Sequence, residues 1–191
     1  MHPSFTHKKY LLKRQVLAMT GKFRYYASGK LVMFSQQKMF KLKEDLRVYA
    51  DASKKQELLR IKARSIIDFS AAYDVVDMTT HQNIGTLRRQ GMKSMLRDEW
   101  DILNPAGQKI GSLFEDSMEL ATLRRLFLGS LLPQNYDITI GQQRAADIKQ
   151  QFNPFQYLLN VDFSMDTTNQ LDPRLGIAAG ILLAAIEGKQ S

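Results

Sequence analysis

The sequence predicts a mainly β domain of the α+β kind, a closed antiparallel barrel around one buried C-terminal helix, and three observations predict it. From Lys8 to Asp68, apolar and aromatic residues alternate with charges in short runs broken by turn residues. Between Tyr73 and Leu113 one hairpin-like unit occurs twice. The run Leu175–Ile186 is apolar or small at every position, so a helix there has no polar face and must be buried.

The elements follow in chain order. Residues 1–8 are polar and basic with no apolar stretch behind a cleavage site; they are expected to be loose and to carry no secretory signal. Ser28-Gly29-Lys30 marks one turn and Asp51-Ala52-Ser53-Lys54 another, so Phe40–Tyr49 and Leu58–Ile67 should pair as a hairpin. In the second of these strands Arg60, Lys62 and Arg64 share one face by the two-residue period, with Ile61 and Ala63 opposite. The repeat reads Tyr73-Asp74-Val75-Val76-Asp77 then Ile84-Gly85-Thr86-Leu87. It returns as Trp100-Asp101-Ile102-Leu103-Asn104 then Ile110-Gly111-Ser112-Leu113. Each copy is a hairpin whose Asx residue favours the turn. Asp74 and Asp101, equivalent in the repeat, are expected to hold turn or strand-edge roles rather than form a catalytic pair.

From Ser117 to Leu131 the period becomes helical, with Asp116 or Ser117 as N-cap and Pro133 ending a short amphipathic surface helix. Strands resume at Tyr136–Ile140, near Ala145–Gln150 and at Tyr157–Phe163, followed by a polar loop at Asp166–Gln170. Asp172 should cap the last helix and Pro173 should be its first residue, giving a helix over about 173–187. Twelve apolar residues are too few to span a bilayer, which takes about 18 or more, so no transmembrane segment is expected. Six of the twelve are Gly or Ala, which admits close neighbours; a helix threaded through a barrel satisfies both facts.

At 191 residues and 44% apolar content the chain can bury a substantial core, and one domain over 1–191 is expected. With no cysteine it has no disulfide, thiolate zinc site, cysteine nucleophile or S-acyl anchor, and a cytoplasmic location is the default. The net charge of +8 is unevenly spread: residues 1–64 carry 16 Lys and Arg against 4 Asp and Glu, the remainder 11 against 15. A sector so basic attracts polyanions.

Enzyme chemistry finds little support. The three histidines are scattered, two near the N-terminus and His81 in a hairpin turn, and no nucleophile elbow, phosphate loop or dinucleotide fingerprint occurs. A non-enzymatic binding protein is expected. Lys41, Lys43, Arg47, Arg60, Lys62 and Arg64 on neighbouring strands are the candidate anion-binding set, suited to phospholipid headgroups at a membrane surface. A protein partner is the alternative, docking on the surface helix with Arg124 and Arg125 and the preceding Arg88, Arg89, Lys93 and Arg97. Nucleic acid ranks third: Tyr25, Tyr26 and Tyr49 could stack on bases, but no recognition motif accompanies them.

Three stretches carry a resemblance: the paired hairpins at Tyr73 and Trp100; Gln151-Phe152-Asn153-Pro154-Phe155 leading into Val161-Asp162-Phe163; and Leu171-Asp172-Pro173-Arg174-Leu175 through Ile186-Glu187-Gly188. From about Tyr10 onward the chain resembles the phospholipid scramblase-related and LURP-one-related proteins of the Tubby C-terminal-like superfamily. The resemblance implies a closed antiparallel barrel around a central hydrophobic helix, phosphoinositide binding in the Tubby-like members, and calcium-dependent action at membranes in the scramblases. This chain departs from the scramblases in lacking a proline-rich N-terminal segment and a cysteine cluster, so lipid scrambling and stable anchoring are not expected; peripheral membrane contact is. The scramblases' proposed calcium segment corresponds to Asp162, Asp166, Asn169 and Asp172 here. Counted from Asn160 as a calcium loop, however, Leu171 stands where a bidentate Glu is needed, so no cofactor is expected and calcium is the weaker reading.

Overall fold

The structure, a computed structural model, describes residues 1–15, 20–38, 45–67, 70–91, 98–115 and 133–186. Within these lie twelve strands and one α-helix. The strands are β1 (Lys9–Gln15), β2 (Thr20–Ala27), β3 (Lys30–Lys38), β4 (Leu46–Tyr49), β5 (Glu57–Ile67), β6 (Ser70–Asp77), β7 (Gln82–Arg89), β8 (Glu99–Leu103), β9 (Lys109–Glu115), β10 (Asn135–Ile140), β11 (Gln143–Gln151) and β12 (Gln156–Asp162). The helix is α1 (Pro173–Ile186). Each strand pairs antiparallel with its sequence neighbours, and β1 also pairs with β12, so the sheet closes with no free edge.

α1 fills the barrel. Leu175 through Ala185 are all buried, and 14 residues at 1.5 Å each make a helix about 21 Å long, matching strands of six or seven residues. Its two glycines each receive an aromatic side chain from around the helix. The Phe163 ring lies against Gly176 and the Tyr25 hydroxyl against Gly180, where any Cβ would collide with them. Tyr25 donates from that hydroxyl to the Ile177 carbonyl at 2.7 Å.

The repeated hairpins, β6–β7 and β8–β9, explain their own sequence. In each copy the Ile before the glycine is the unpaired residue of a β-bulge: Val75 faces Gly85 while Val76 faces Asn83, and Ile102 faces Gly111 while Leu103 faces Lys109. At Gly85 a Cβ would strike the Leu103 carbonyl, and at Gly111 the Thr139 carbonyl, so the glycine of each copy lets the next strand approach. The Asx residues serve the turns. Asp77 Oδ1 accepts from the backbone N–H of Thr79 at 2.7 Å, and Asn104 Oδ1 from that of Gln108 at 2.9 Å.

The first eight residues, loose by composition, are fastened by packing. Pro3–Phe5 form a 3-10 turn, Phe5 is buried, and the Tyr10 hydroxyl donates to the Ser4 carbonyl at 2.9 Å. The expected hairpin is present as β4–β5, with Leu46 opposite Ile61, around the turn at Asp51. Phe40–Glu44 and the expected surface helix over Ser117–Leu131 lie outside the described residues.

Candidate functional site

On β4 and β5 the apolar phase points inward, with Leu46, Val48, Leu59 and Ile61 buried, and the basic phase points out. Arg47 faces Arg60 across the ladder, Lys62 faces Asp74 on β6, and Arg64 is the extra residue of a bulge between Ala63 and Ser65. The four described cations of the expected set therefore share one outer face; Lys41 and Lys43 lie outside the described residues. Two of the four are answered. Glu57 takes a paired hydrogen bond from Arg60 at 2.8 and 3.1 Å, which raises the guanidinium pKa, and Asp74 takes one from Arg64 at 3.0 and 2.7 Å. Arg47 and Lys62 have no carboxylate partner among the described residues.

A second basic face was not singled out from the sequence, although it carries the same two-residue alternation. On β1 and β2, Lys13 faces Arg24 directly, and Lys9 and Lys22 continue the outward phase. Lys9 is paired with Asp162 at 3.0 Å. Lys13, Lys22 and Arg24 have no carboxylate partner among the described residues; the Lys13 ammonium stands 5.0 Å from the Tyr26 ring centroid and the Arg24 guanidinium 5.9 Å from that of Phe34. A shallow hollow of about 350 Å³ opens beside them, lined by Lys9, Leu11, Lys13, Tyr26 and Asn160 among others.

The oxygen donors considered for calcium are engaged separately. Asp162 accepts from the Ser164 N–H at 2.8 Å and pairs with Lys9; burial raises its carboxyl pKa, but these partners outweigh burial and hold it below the ordinary value. Asp166 accepts from the Gln170 and Leu171 N–H groups, both at 2.9 Å. Asn169 accepts from Lys8 at 3.1 Å, and Asp172 caps α1 through the Arg174 N–H at 2.9 Å. Among the described residues no group of three His, Asp or Glu is placed to hold a metal ion.

Asp74 and Asp101 are structural, and they sit mid-strand rather than at a strand edge. Each lies opposite the hydroxyl residue of its own repeat, Thr86 or Ser112. The buried Asp101 side chain bridges Arg88 at 2.8 Å and Lys109 at 2.6 Å; burial alone would raise its pKa, and the two cations bring it below the ordinary carboxylate value. Arg88 is thereby committed, as is Arg89 to Asp98 at 2.6 Å, while Lys93, Arg97, Arg124 and Arg125 lie outside the described residues. His81 is exposed on the β6–β7 turn. Inside the barrel, the space between Leu87, Trp100, Leu113 and α1 amounts to about 10 Å³ with a wholly apolar lining.

Sequence reasoning also passed over Arg14. It falls on the inward phase of β1 with Tyr10 and Leu12, is buried, and donates from Nη1 to the Ala184 carbonyl at 2.6 Å. Among the described residues no helix is long and apolar enough to cross a membrane. A family model described as LURP-one-related matches residues 31–184, and comparison with curated proteins and with solved structures finds no match.

Proposed function

Since this chain belongs to the LURP-one-related family, we propose that its barrel is a non-enzymatic binding module that contacts anionic phospholipid headgroups at a cytoplasmic membrane surface. The observation that carries this reading is the outward pair Arg47 and Lys62, cations without carboxylate partners among the described residues, held on rigid strands beside Arg60 and Arg64. Fixed strands lower the entropic cost of presenting charge, and each cation near an anionic leaflet contributes about 1 kcal/mol. The non-enzymatic part is supported by an interior filled with helix and by carboxylates already bound to cations or backbone N–H groups. The reading needs no cofactor and no membrane-spanning segment.

Co-sedimentation with phosphatidylcholine vesicles, with and without phosphatidylserine, tests it. Binding should require the anionic lipid, fall as salt rises, and weaken at least about tenfold in Arg47→Glu/Lys62→Gln. These two positions are chosen because removing Arg60 or Arg64 would leave Glu57 or Asp74 without its cation, and Lys62 is made neutral because it faces Asp74. No binding to anionic vesicles at low salt would overturn the proposal.

A further inference from the structure

The connection between β11 and β12 holds two aromatic rings in the open. Phe155 is 71% exposed and Phe152 57%, on a turn whose shape is set from within: Asn153 Oδ1 accepts from the N–H groups of Phe155 and Gln156, both at 2.9 Å, and Pro154 restricts the backbone between them. Two large apolar side chains raised on one braced turn are costly in water, and nothing in the turn's own hydrogen bonding requires them.

The neighbours of the turn indicate what covers it. Gln156 pairs with Gln15, so the turn projects past the end of β1, at the rim where α1 ends and Arg14 meets Ala184. Lys13 is one outward position back from that rim and faces Arg24; Lys22 is the next outward residue of β2 toward the rim. These are the cations of the second basic face, which lack carboxylate partners among the described residues. On the other side, Lys149 of β11, nearer the turn, is held by Asp147 at 2.7 Å. Exposed rings beside unanswered positive charge fit one occupant, the interface of an anionic bilayer, where aromatic groups enter the headgroup and acyl boundary while cations stay at the phosphates.

We infer that Phe152 and Phe155 form a membrane-inserting tip, flanked by Lys13, Lys22 and Arg24, and that the barrel meets the bilayer with the rim at which α1 ends. This rests on the reading that the barrel meets an anionic membrane, and adds insertion and orientation to it.

The test uses the full chain and vesicles of phosphatidylcholine with phosphatidylserine. Phe155→Trp, made in a Trp100→Phe background so that it is the single indole, should shift to the blue on adding anionic vesicles and be quenched by lipids brominated along the acyl chain. Phe152→Ala/Phe155→Ala should bind those vesicles about a hundredfold more weakly, roughly tenfold per ring, while melting as the parent does because both rings are exposed. If the protein co-sediments with anionic vesicles but the indole is neither shifted nor quenched, insertion is overturned and headgroup binding stands. If the parent does not co-sediment at all, headgroup binding falls and takes insertion with it. An indole that shifts with protein concentration alone, without lipid, means that a second copy of the chain covers the turn, which also overturns insertion.

Discussion

The two ends of α1 are held by opposite means. At its N-terminus the charges come in answered sets: Asp172 caps the Arg174 N–H, and the Arg174 guanidinium binds both Asp172 and, across the barrel mouth, Asp77 of the β6–β7 turn. At its C-terminus one buried cation, Arg14, reaches from the wall to the Ala184 carbonyl and lies 5.8 Å from the Phe23 ring centroid. Both arrangements complement the helix dipole, carboxylates at the positive end and a guanidinium at the negative end. They differ in what they leave exposed to failure. The first end can lose one partner and keep another, whereas among the described residues the second rests on a single side-chain donor, whose burial lowers its own pKa.

Breaking the answered end should have the larger effect, because the Asp77 side chain is almost fully buried and its loss strands part of a cation. Asp77→Asn keeps an acceptor for Thr79 but removes the charge facing Arg174, and should destabilise the fold by about 3 kcal/mol at pH 7, with Asp172 preventing a greater loss. The effect is pH-dependent with a definite sign. Burial raises the Asp77 pKa, but hydrogen bonds from Thr79 and the Arg174 charge outweigh burial and hold it below the ordinary carboxylate value. A depressed folded-state pKa contributes stability that is complete above the unfolded value near about 4 and is lost as pH falls through the folded value. Urea unfolding at pH 7 and pH 3 should therefore separate parent and variant widely at the first and less at the second. An equal gap at both would show that the charge of Asp77 is not what holds this end.

The single-donor end should cost less to break but leave a more local mark. Arg14→Met replaces the guanidinium with an apolar side chain of similar reach and orphans the Ala184 carbonyl, an expected loss of about 2 kcal/mol. Amide hydrogen exchange should accelerate in the last turn of α1 well before it does near Leu175. Uniform acceleration along the helix would mean that the two ends are not independently secured.

How far each end was legible follows from distance along the chain. Asp172 and Pro173 are adjacent to the helix they start, and their types are start signals in any context. Arg14 is 170 residues from Ala184, and read alone it is one more basic residue in a basic sector. Only its phase, shared with Tyr10 and Leu12, marked it as inward, and a cation in an inward phase is easily discounted. The hairpins were legible for the same local reason as the cap, since Asp51, Asp77 and Asn104 bond within their own turns. Closure of β1 on β12 is a long-range pairing with no local signature; it was expected from the all-apolar helix that needs enclosing and from the family resemblance. In the candidate site, alternation identified the outward phase of Arg47, Arg60, Lys62 and Arg64 but could not reveal that Glu57 and Asp74 answer two of them. The oxygens from Asp162 to Asp172, the weaker calcium reading, could be ordered from the sequence but not their partners: Asp162 and Asn169 accept from lysines, Asp166 and Asp172 from backbone N–H groups nearby.

Between the two ends, the middle of α1 offers the smallest effect and the sharpest control. Gly180→Ala should gain helix propensity worth about 1 kcal/mol, yet its new methyl group would run into the Tyr25 hydroxyl, and overpacking of this kind costs about 1–3 kcal/mol. A net loss of about 1 kcal/mol is expected. Tyr25→Phe alone should lose about 1 kcal/mol with the hydrogen bond to Ile177. In the double variant the collision disappears with the oxygen, because the next Tyr25 atom is 3.6 Å from the added carbon, an ordinary contact. The double variant should therefore be more stable than the sum of the single losses predicts, by about 1–2 kcal/mol in a urea-unfolding cycle. Simple additivity would mean that the helix moves to accommodate the methyl group, and that its ends, rather than the contacts along its length, set its position in the barrel.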